Sequence, residues 1–307
     1  MSAPSGPASW ALVTVTGADS PDPRVGVQPV GAEQVRIPEF LRGYRGVLDV
    51  IGDWAELEPQ LRAHDAADGE LVETPQVLLP LRYPAKVLCS GPNYRDHLIE
   101  MKQSGLGEGW TAYFFFKPPT TSLVGPSDPV LVGEHWERDQ VDWEGELAVV
   151  MARGGRDIAV ENAMSHVAGY CVANDISLRG PHRRDTPAAP FVWDWVASKG
   201  ADTSLPLGPG LVPAWLIDDV QQLPIQTRVN GELRQNGNTE NMVLDVATMV
   251  AQASALLTLE PGDVIVTGTP AGVGASTGSF LAPGDVVDVD IAGVGHLRNR
   301  IEMRTAR

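Results

Sequence analysis

Three carboxylates near the middle of the chain have the residue types and the spacing of a site for a hard divalent cation. Glu144 and Glu146 lie on either side of a glycine in the run from Val141 to Val150, which reads as a strand. Because side chains alternate between the two faces of a strand, these two carboxylates are expected on one face. Asp175 follows a second apolar run, Val167 to Val172. Carboxylates at strand ends, with no thiol or imidazole among them, suit a cation such as Mg²⁺.

The spacing does not by itself bring the three carboxylates together. In the alternative interpretation, Glu144 and Glu146 are exposed strand residues and Asp175 belongs to a turn. The neighbouring apolar runs favour the metal site, because a carboxylate beside a buried strand usually needs a charged partner. Both interpretations stay open at this point.

A second segment with chemically active residues runs from Ser90 to Met101 and reads as a strand end, a Gly-Pro turn and a short helix. Asn93 is predicted to be the N-cap of that helix. His97 and Glu100 are three residues apart and therefore neighbours on one helix face. A carboxylate beside an imidazole fixes its tautomer and favours its protonated form, as in a general base. The alternative is an exposed surface pair.

Two further features suggest ligand binding. Lys199 lies in an apolar, glycine-containing context, where it binds a substrate oxyanion or carboxylate, or is a solvated surface group. The turn from Thr267 to Gly274 follows a strand, and its glycines allow backbone N–H groups to approach a ligand. The turn lacks the lysine and spacing of a P-loop, which excludes a nucleotide site of that kind. A plain tight turn is the alternative.

The scaffold for these groups is predicted to be rich in strands. Strands are expected at residues 86–89, 113–116, 146–151, 264–266 and 286–291, with small strands between residues 10 and 49. Helices are expected at residues 53–66 and 241–257, since each has apolar positions on one side. The segment from Arg179 to Trp195 has no periodicity and is predicted to be a long loop.

The composition describes an acidic chain of 307 residues with a formal net charge of −16. This charge disfavours nucleic acid and anionic membranes as partners. Cys89 and Cys171 lie in apolar runs and are expected to be buried free thiols. Neither a signal peptide nor an apolar stretch of about 20 residues is recognisable, so a cytoplasmic location is predicted.

The length suits one large domain and one small domain. A polar link from Asp65 to Glu73 contains the predicted boundary. Residues 1–75 are expected to form the small N-terminal domain, with a disordered leader from Met1 to Pro7, and residues 76–307 the catalytic domain.

Taken together, these segments resemble the fumarylacetoacetate hydrolase family over roughly Tyr83 to Ile301. The Glu-Gly-Glu, Asn-Asp, Lys-Gly and Gly-Thr-Pro motifs occur in the family's order with plausible spacing. The resemblance includes residues 114–119, residues 206–209, and residues 229–231 followed by Gln235. It implies an α+β, mainly β fold, in which a mixed β-sandwich or barrel-like roll follows a small N-terminal α/β domain. It also implies a homodimer.

The resemblance also implies roles for individual residues. The metal ligands would be Glu144, Glu146 and Asp175, holding Mg²⁺ or, as an alternative, Mn²⁺. The catalytic residues would be His97, Glu100 and Lys199. The substrate, a small anionic 2-oxo acid, would contact Arg179, Thr269, Gly268 and Tyr94.

The reaction favoured by this resemblance is hydrolysis of a C–C bond in an acylpyruvate-like 1,3-dicarbonyl acid through a metal-bound enolate. His97 with Glu100 would activate water, and Lys199 would steady the developing charge. The same enolate serves an isomerase or decarboxylase of a 2-hydroxymuconate-type or oxaloacetate-like acid. A non-catalytic scaffold is a further alternative.

The sequence departs from the family pattern in ways that argue against fumarylacetoacetate as substrate. Gly200 follows the lysine where some members have serine, and His182 replaces a glutamine of the animal hydrolase. These differences favour the bacterial branch of acylpyruvases and 2-hydroxyhepta-2,4-diene-1,7-dioate isomerases. Trp193 and Trp195 line an apolar acyl site or pack in the core. The arginines at positions 183 and 184 bind a second carboxylate or are solvated.

Overall fold

The structure is a computed structural model that describes residues 9–18, 20–102, 109–186 and 188–305. The predicted leader from Met1 to Pro7 lies outside the described residues. No helix in the described part of the chain is long and apolar enough to cross a membrane.

Strands make up most of the regular structure in the described residues. In the first half of the chain they are β1 (Trp10–Gly17), β2 (Ser20–Pro29), β3 (Arg36–Ile37), β4 (Glu70–Leu71), β5 (Gln76–Leu78), β6 (Val87–Ser90), β7 (Phe114–Phe116), β8 (Leu123–Val124), β9 (Val130–Val132), β10 (Val141–Asp142) and β11 (Gly145–Met151). They continue as β12 (Val167–Asn174), β13 (Ser177–Leu178), β14 (Leu205–Pro213), β15 (Pro224–Val229), β16 (Glu232–Asn238), β17 (Val264–Val266), β18 (Val286–Ile291) and β19 (Gly295–Met303).

The helices are short. They are α1 (Val47–Gly52), α2 (Trp54–Ala63), α3 (Arg95–Glu100), α4 (Trp136–Asp139), α5 (Val160–Ala163), α6 (Arg179–His182), α7 (Trp195–Lys199), α8 (Val246–Leu256) and α9 (Gly274–Thr277). Several 3₁₀ turns connect them.

Three sheets organise the strands. The large sheet has the order β4-β3-β2-β1-β14-β12-β11-β17-β6-β7, with β5 paired to β1 and β8 paired to β14. A second sheet has the order β16-β15-β18-β19-β9, and β10 pairs with β13. This mixed architecture confirms the predicted α+β, mainly β fold.

The large sheet has an apolar core on each face, as its central strand β11 shows. Leu147, Val149 and Met151 belong to one core, which also contains side chains of the second sheet. Ala148 and Val150 belong to the other core, which includes buried residues of α1 and α2. All seven residues of β11 are buried. The strand that leads into the acidic cluster is therefore held from both sides.

The N-terminal segment joins the same large sheet. Leu12 of β1 pairs with Leu211 of β14, and β5 pairs with β1 along residues 76–78. The hydrogen bonding thus crosses the predicted boundary near residue 75, and the boundary itself stays a prediction. Cys89 and Cys171 are buried free thiols, as expected.

The prediction of a single strand from Val141 to Val150 is wrong, because the strand is interrupted between β10 and β11. Glu144 donates its backbone N–H to the Asn174 side chain at 3.1 Å, and Gly145 donates to the Gln235 side chain at 2.9 Å. Side-chain oxygens thus replace the backbone partners that a continuous strand would need.

The segment predicted as a loop from Arg179 to Trp195 contains α6 and a 3₁₀ turn, and Trp195 begins α7. Asp194 caps α7, since its carboxylate accepts the Ala197 N–H at 2.9 Å. These helices have at most five residues, which is too few for a helical period to appear in the sequence.

Asn93 is not the N-cap of α3, because its side chain binds two distant segments. Its carboxamide oxygen accepts the Leu244 N–H at 2.9 Å, and its amide donates to the carbonyls of Leu244 and Thr267 at 3.0 Å each. Tyr94 occupies the N-cap position without a side-chain bond. The same contacts explain why the helix predicted from residue 241 begins only at Val246, where Asp245 caps α8.

Asn93→Ala is expected to lower the free energy of unfolding by roughly 2–4 kcal/mol, because it leaves buried backbone groups at Leu244 and Thr267 without partners. The matched control is Asp245→Ala, which removes an N-cap and is expected to cost about 1 kcal/mol. Urea unfolding of both variants measures the difference. Equal losses in the two variants would contradict the crosslinking role of Asn93.

Candidate metal centre and active site

The acidic cluster lies where the first residue of β11 meets the last residue of β12. Gly145 pairs with Asn174 in the antiparallel register. Glu144, which precedes Gly145, and Asp175, which follows Asn174, therefore lie at the same end of the two strands. The Asp175 N–H donates to the Glu144 carbonyl at 2.8 Å. Together with Glu146, they offer carboxylate oxygens that all lie within 4.8 Å of one another, and all three residues are buried. The predicted convergence is confirmed.

Two cations neutralise part of this charge. Lys199 Nζ lies 2.7 Å from Glu144 Oε2 and 2.8 Å from Asp175 Oδ2. Arg179 Nη2 lies 2.5 Å from Glu144 Oε1. Burial alone raises the pKa of Glu144, but Lys199 and Arg179 outweigh burial and hold this pKa below its usual range. Lys199 is itself buried, which excludes the interpretation as a solvated surface group.

Glu146 has no such cation. Its Oε2 accepts the Gly268 N–H at 2.5 Å, and its Oε1 has no hydrogen-bond partner in the described part of the protein. Burial raises the pKa of Glu146, and the charges of Asp175 and Glu144 raise it further. An unpartnered buried carboxylate oxygen among other carboxylates is what a divalent cation would satisfy, so the donor set fits Mg²⁺ or Mn²⁺.

Gly268 holds this ligand and has to be glycine. Its φ is +93°, and a Cβ there would lie 2.9 Å from the Asn93 Cβ. Its N–H was expected to face the substrate but is engaged by Glu146. Gly268 still lines the cavity described below.

Lys117, for which no sequence pattern predicts a role, is fully buried behind the cluster. Its Nζ lies 2.8 Å from Asp175 Oδ1 and donates to the Ile176 carbonyl at 3.0 Å and to the carbonyl and hydroxyl of Ser204 at 2.8 and 2.9 Å. Burial lowers the pKa of Lys117, and Asp175 opposes this shift. The Ser204 hydroxyl donates in turn to the Lys199 carbonyl at 3.2 Å. Lys117 therefore fixes the oxygen of Asp175 that Lys199 does not contact.

Asp142 and Gln235 complete the support and were also missed. Asp142 Oδ2 accepts from Arg179 Nε at 2.8 Å and so orients the guanidinium. Gln235 donates to the Thr269 hydroxyl at 2.7 Å and accepts the Gly145 N–H. Asp142 lies two residues before Glu144 in the same acidic run, and this spacing was the available signal. Gln235 lies 90 residues from Gly145, and no local pattern indicates their contact.

The His97 and Glu100 pair forms as predicted, and the exposed-pair interpretation is excluded. His97 Nδ1 lies 2.9 Å from Glu100 Oε2, and the two side chains are 8% and 17% exposed. The other oxygen of Glu100 accepts the Gly272 N–H at 3.0 Å. The turn after β17 therefore anchors the carboxylate that orients the imidazole.

A cavity of about 370 Å³ joins these groups. Its polar lining consists of Ser90, His97, Glu100, Glu144, Glu146, Arg179, His182, Lys199, Thr269 and Ser276, and its apolar lining includes Pro92, Met101, Phe115, Trp193, Trp195 and Val273. Asp175 is not among the lining residues, but its carboxylate lies within 4.8 Å of those of Glu144 and Glu146, which line the cavity. The predicted metal ligands, the predicted dyad, Lys199 and Arg179 thus belong to one site.

Two of the predicted substrate contacts, Tyr94 and Thr269, have contacts within the protein instead. Tyr94 is fully buried, is not among the residues lining the cavity, and belongs to the apolar core. Its position in the turn between β6 and α3 points it inwards, which the sequence could not distinguish from an orientation towards the cavity. Thr269 lines the cavity, but its hydroxyl donates to the Gly145 carbonyl at 2.9 Å and accepts from Gln235.

We expect Mg²⁺ or Mn²⁺ at a hundred times its dissociation constant to stabilise the protein by about 2.7 kcal/mol, because the cation binds only the folded cluster. Glu146→Gln is expected to remove this effect, since it removes a charged ligand. Glu302→Gln, at an exposed position of β19, serves as the control and keeps it. Scanning calorimetry with and without metal measures the shift. A wild-type melting temperature that does not respond to either metal would refute the metal centre.

Lys117→Met is expected to lower the free energy of unfolding by about 3–5 kcal/mol, because it leaves Asp175 and buried carbonyls without their cation. The control is Arg42→Met, which removes an exposed partner of Glu70 and is expected to cost no more than about 1 kcal/mol. Guanidinium unfolding measures both. If Lys117→Met costs as little as the control, Lys117 does not hold Asp175.

The chain is similar to known proteins over most of its length. The sequence model described as "Fumarylacetoacetate (FAA) hydrolase C-terminal" matches residues 86–302. The chain is 36% identical over 303 residues to the mitochondrial oxaloacetate tautomerase fahd2 of Xenopus laevis, covering 95% of this chain and 90% of that protein. It is 40% identical over 227 residues to the oxaloacetate tautomerase YisK of Bacillus subtilis, covering 72% and 71% of the two chains.

A solved structure shows the same fold. The crystal structure of maleylpyruvate hydrolase from Sphingobium sp. SYK-6, in complex with manganese(II) and pyruvate, matches with a TM-score of 0.74 at 27% identity. The match covers 96% of this chain and all of that one. With the mixed β fold, the buried carboxylates and the family match over more than two thirds of its length, the chain belongs to the fumarylacetoacetate hydrolase family.

Proposed function

We propose that this protein is a metal-dependent tautomerase that interconverts the enol and keto forms of a small 2-oxo acid. The observation that carries the proposal is the His97 and Glu100 pair, which lies in the same cavity as the carboxylates of Glu144 and Glu146. The relatives from Xenopus laevis and Bacillus subtilis, both oxaloacetate tautomerases, support it. It corresponds to the isomerase alternative of the sequence analysis.

The cofactor in this proposal is Mg²⁺, with Mn²⁺ as the alternative. The residues that would hold it are Glu144, Glu146 and Asp175. A cation bound there would supply Lewis-acid stabilisation of negative charge on the 2-oxo acid.

The protein's own groups then move the proton. Glu100 holds the imidazole of His97 through Nδ1, which leaves Nε2 as the ring nitrogen for acid–base work. His97 accepts the proton of the enol hydroxyl and returns a proton to the adjacent carbon, so the reaction is a net isomerisation. Lys199 and Arg179 keep positive charge next to the reacting oxygens, where it favours the enolate.

The second candidate is the C–C hydrolase that the sequence favoured. The similarity to maleylpyruvate hydrolase supports it, and the His97 pair suits activation of a water as well as transfer of a proton. The tautomerase takes precedence because the two tautomerase relatives are 36% and 40% identical, whereas the hydrolase structure is 27% identical.

With Mg²⁺ present, the protein is expected to accelerate decay of the ultraviolet absorbance of an enol 2-oxo acid. His97→Gln is expected to lower kcat by a factor of about 10²–10⁴ while keeping the metal-induced thermal shift, because it removes the base and leaves the carboxylates. His296→Gln, at a half-exposed histidine of β19, is the control and keeps the activity.

An acylpyruvate assay separates the two candidates. Release of pyruvate and a carboxylic acid, without acceleration of enol decay, would replace the tautomerase by the hydrolase. No turnover in either assay, with an intact thermal shift, would leave the non-catalytic scaffold.

A further inference from the structure

The cavity has an aromatic wall formed by Phe115, Trp193 and Trp195. This wall lies beside the charged residues, since Lys199 Nζ is 5.3 Å from the centroid of the Phe115 ring. The ring of Trp195 stacks on Phe115 with centroids 5.1 Å apart and an interplanar angle of 26°. The ring centroids of Tyr113 and His182 lie 5.0 and 4.7 Å from that of Trp195, and His182 and Trp195 form a T-shaped pair. Three rings therefore contact Trp195 and hold its orientation, so the aromatic wall is preformed.

The backbone before α7 holds Trp193 beside the cavity. The N–H of Asp194 donates to the His182 carbonyl at 2.9 Å, and the N–H of Arg184 donates to the Val192 carbonyl at 2.8 Å. The ring of Trp193 lies 5.1 Å from His182 and is 59% exposed. The sequence left open whether Trp193 lines the cavity or packs in the core. Its exposure and its place in the cavity lining show that it lines the cavity.

The cations of the cavity are already paired. Among the described lining residues, Arg179 contacts Asp142 and Glu144, and Lys199 contacts Glu144 and Asp175. A second carboxylate on the substrate would therefore meet no unpaired lysine or arginine there. Lys199 Nζ lies 5.3 Å from the Phe115 ring, but it is held by the carboxylates of Glu144 and Asp175. Burial of a second substrate carboxylate against the aromatic rings would therefore be unfavourable.

The other charged candidates do not change this balance. Burial lowers the pKa of His182, and Arg179 and Lys199 lower it further, so its imidazole is neutral at pH 7. His97 is paired with Glu100. The arginines at positions 183 and 184 are exposed and do not line the cavity.

We infer that the substrate is a 2-oxo acid whose far end is an apolar, planar arm, such as an aryl group, rather than a second carboxylate. The arm would lie against Trp193, Trp195 and Phe115 while the 2-oxo acid end faces the carboxylates and cations. This inference rests on the proposed function for the position of the 2-oxo acid end. The proposed substrate class differs from oxaloacetate, the compound after which the two relatives are named.

The test compares the enol forms of phenylpyruvate and oxaloacetate with the full-length protein and Mg²⁺. The wild type is expected to have the higher kcat/KM for phenylpyruvate, by roughly tenfold, because only that substrate fills the aromatic side of the cavity. Trp193→Ala is expected to abolish most of this preference by lowering kcat/KM for phenylpyruvate. Phe191→Ala, at an exposed aromatic residue of the same segment outside the lining, is the matched control.

A binding experiment tests the apolar arm independently of the reaction. Calorimetry with Mg²⁺ compares the dissociation constants of the keto forms of phenylpyruvate and pyruvate, which differ only by the aryl group. Tighter binding of phenylpyruvate than of pyruvate, weakened by Trp193→Ala, would support the apolar arm. If the same protein converted neither enol, only the tautomerase proposal would fail. Equal dissociation constants, or a preference for oxaloacetate that Arg183→Met or Arg184→Met abolishes, would overturn the inference.

Discussion

The burial of acidic groups at the meeting point of β11 and β12 is the constraint on which the rest of the structure depends. The pairing of Gly145 with Asn174 brings Glu144 and Asp175 together, and carboxylates removed from water require partners of opposite charge. These partners are the side chains of Lys117, Arg179 and Lys199. They come from segments that share no local sequence pattern. The large sheet, with a core on each face, holds these segments at the required distances.

The reaction chosen at this site depends on groups other than the carboxylates. Tautomerases and a hydrolase lie among the similar proteins, and an enolate serves either reaction. The three carboxylates therefore do not determine the reaction by themselves, and they share the cavity with the His97 and Glu100 pair and with the wall formed by residues 115, 193 and 195. In this chain that wall is aromatic, and the cations near it are already paired.

The sequence singles out the individual residues of the cluster because the signal of each is local. Glu144, Glu146 and Asp175 adjoin apolar runs, and His97 and Glu100 have helical spacing, so each pattern fits within a few residues. The supporting contacts are long-range. Gln235 completes the hydrogen bonding of Gly145 and interrupts the predicted strand, and Asn93 binds Leu244 instead of capping its own helix. No periodicity records such contacts, which is why the strand break and the late start of α8 were missed.

The turn after β17 touches both halves of the site through its backbone. The N–H of Gly268 binds Glu146, and the N–H of Gly272 binds Glu100. Gly268 and Gly272 are four positions apart in the chain. The length of this turn therefore sets the distance between the proposed metal ligands and the proposed base. A relative that lengthens or shortens this turn by one residue would change the distance from base to metal while keeping every catalytic side chain. The length of this turn is thus a variable of the site that the identities of its side chains do not record.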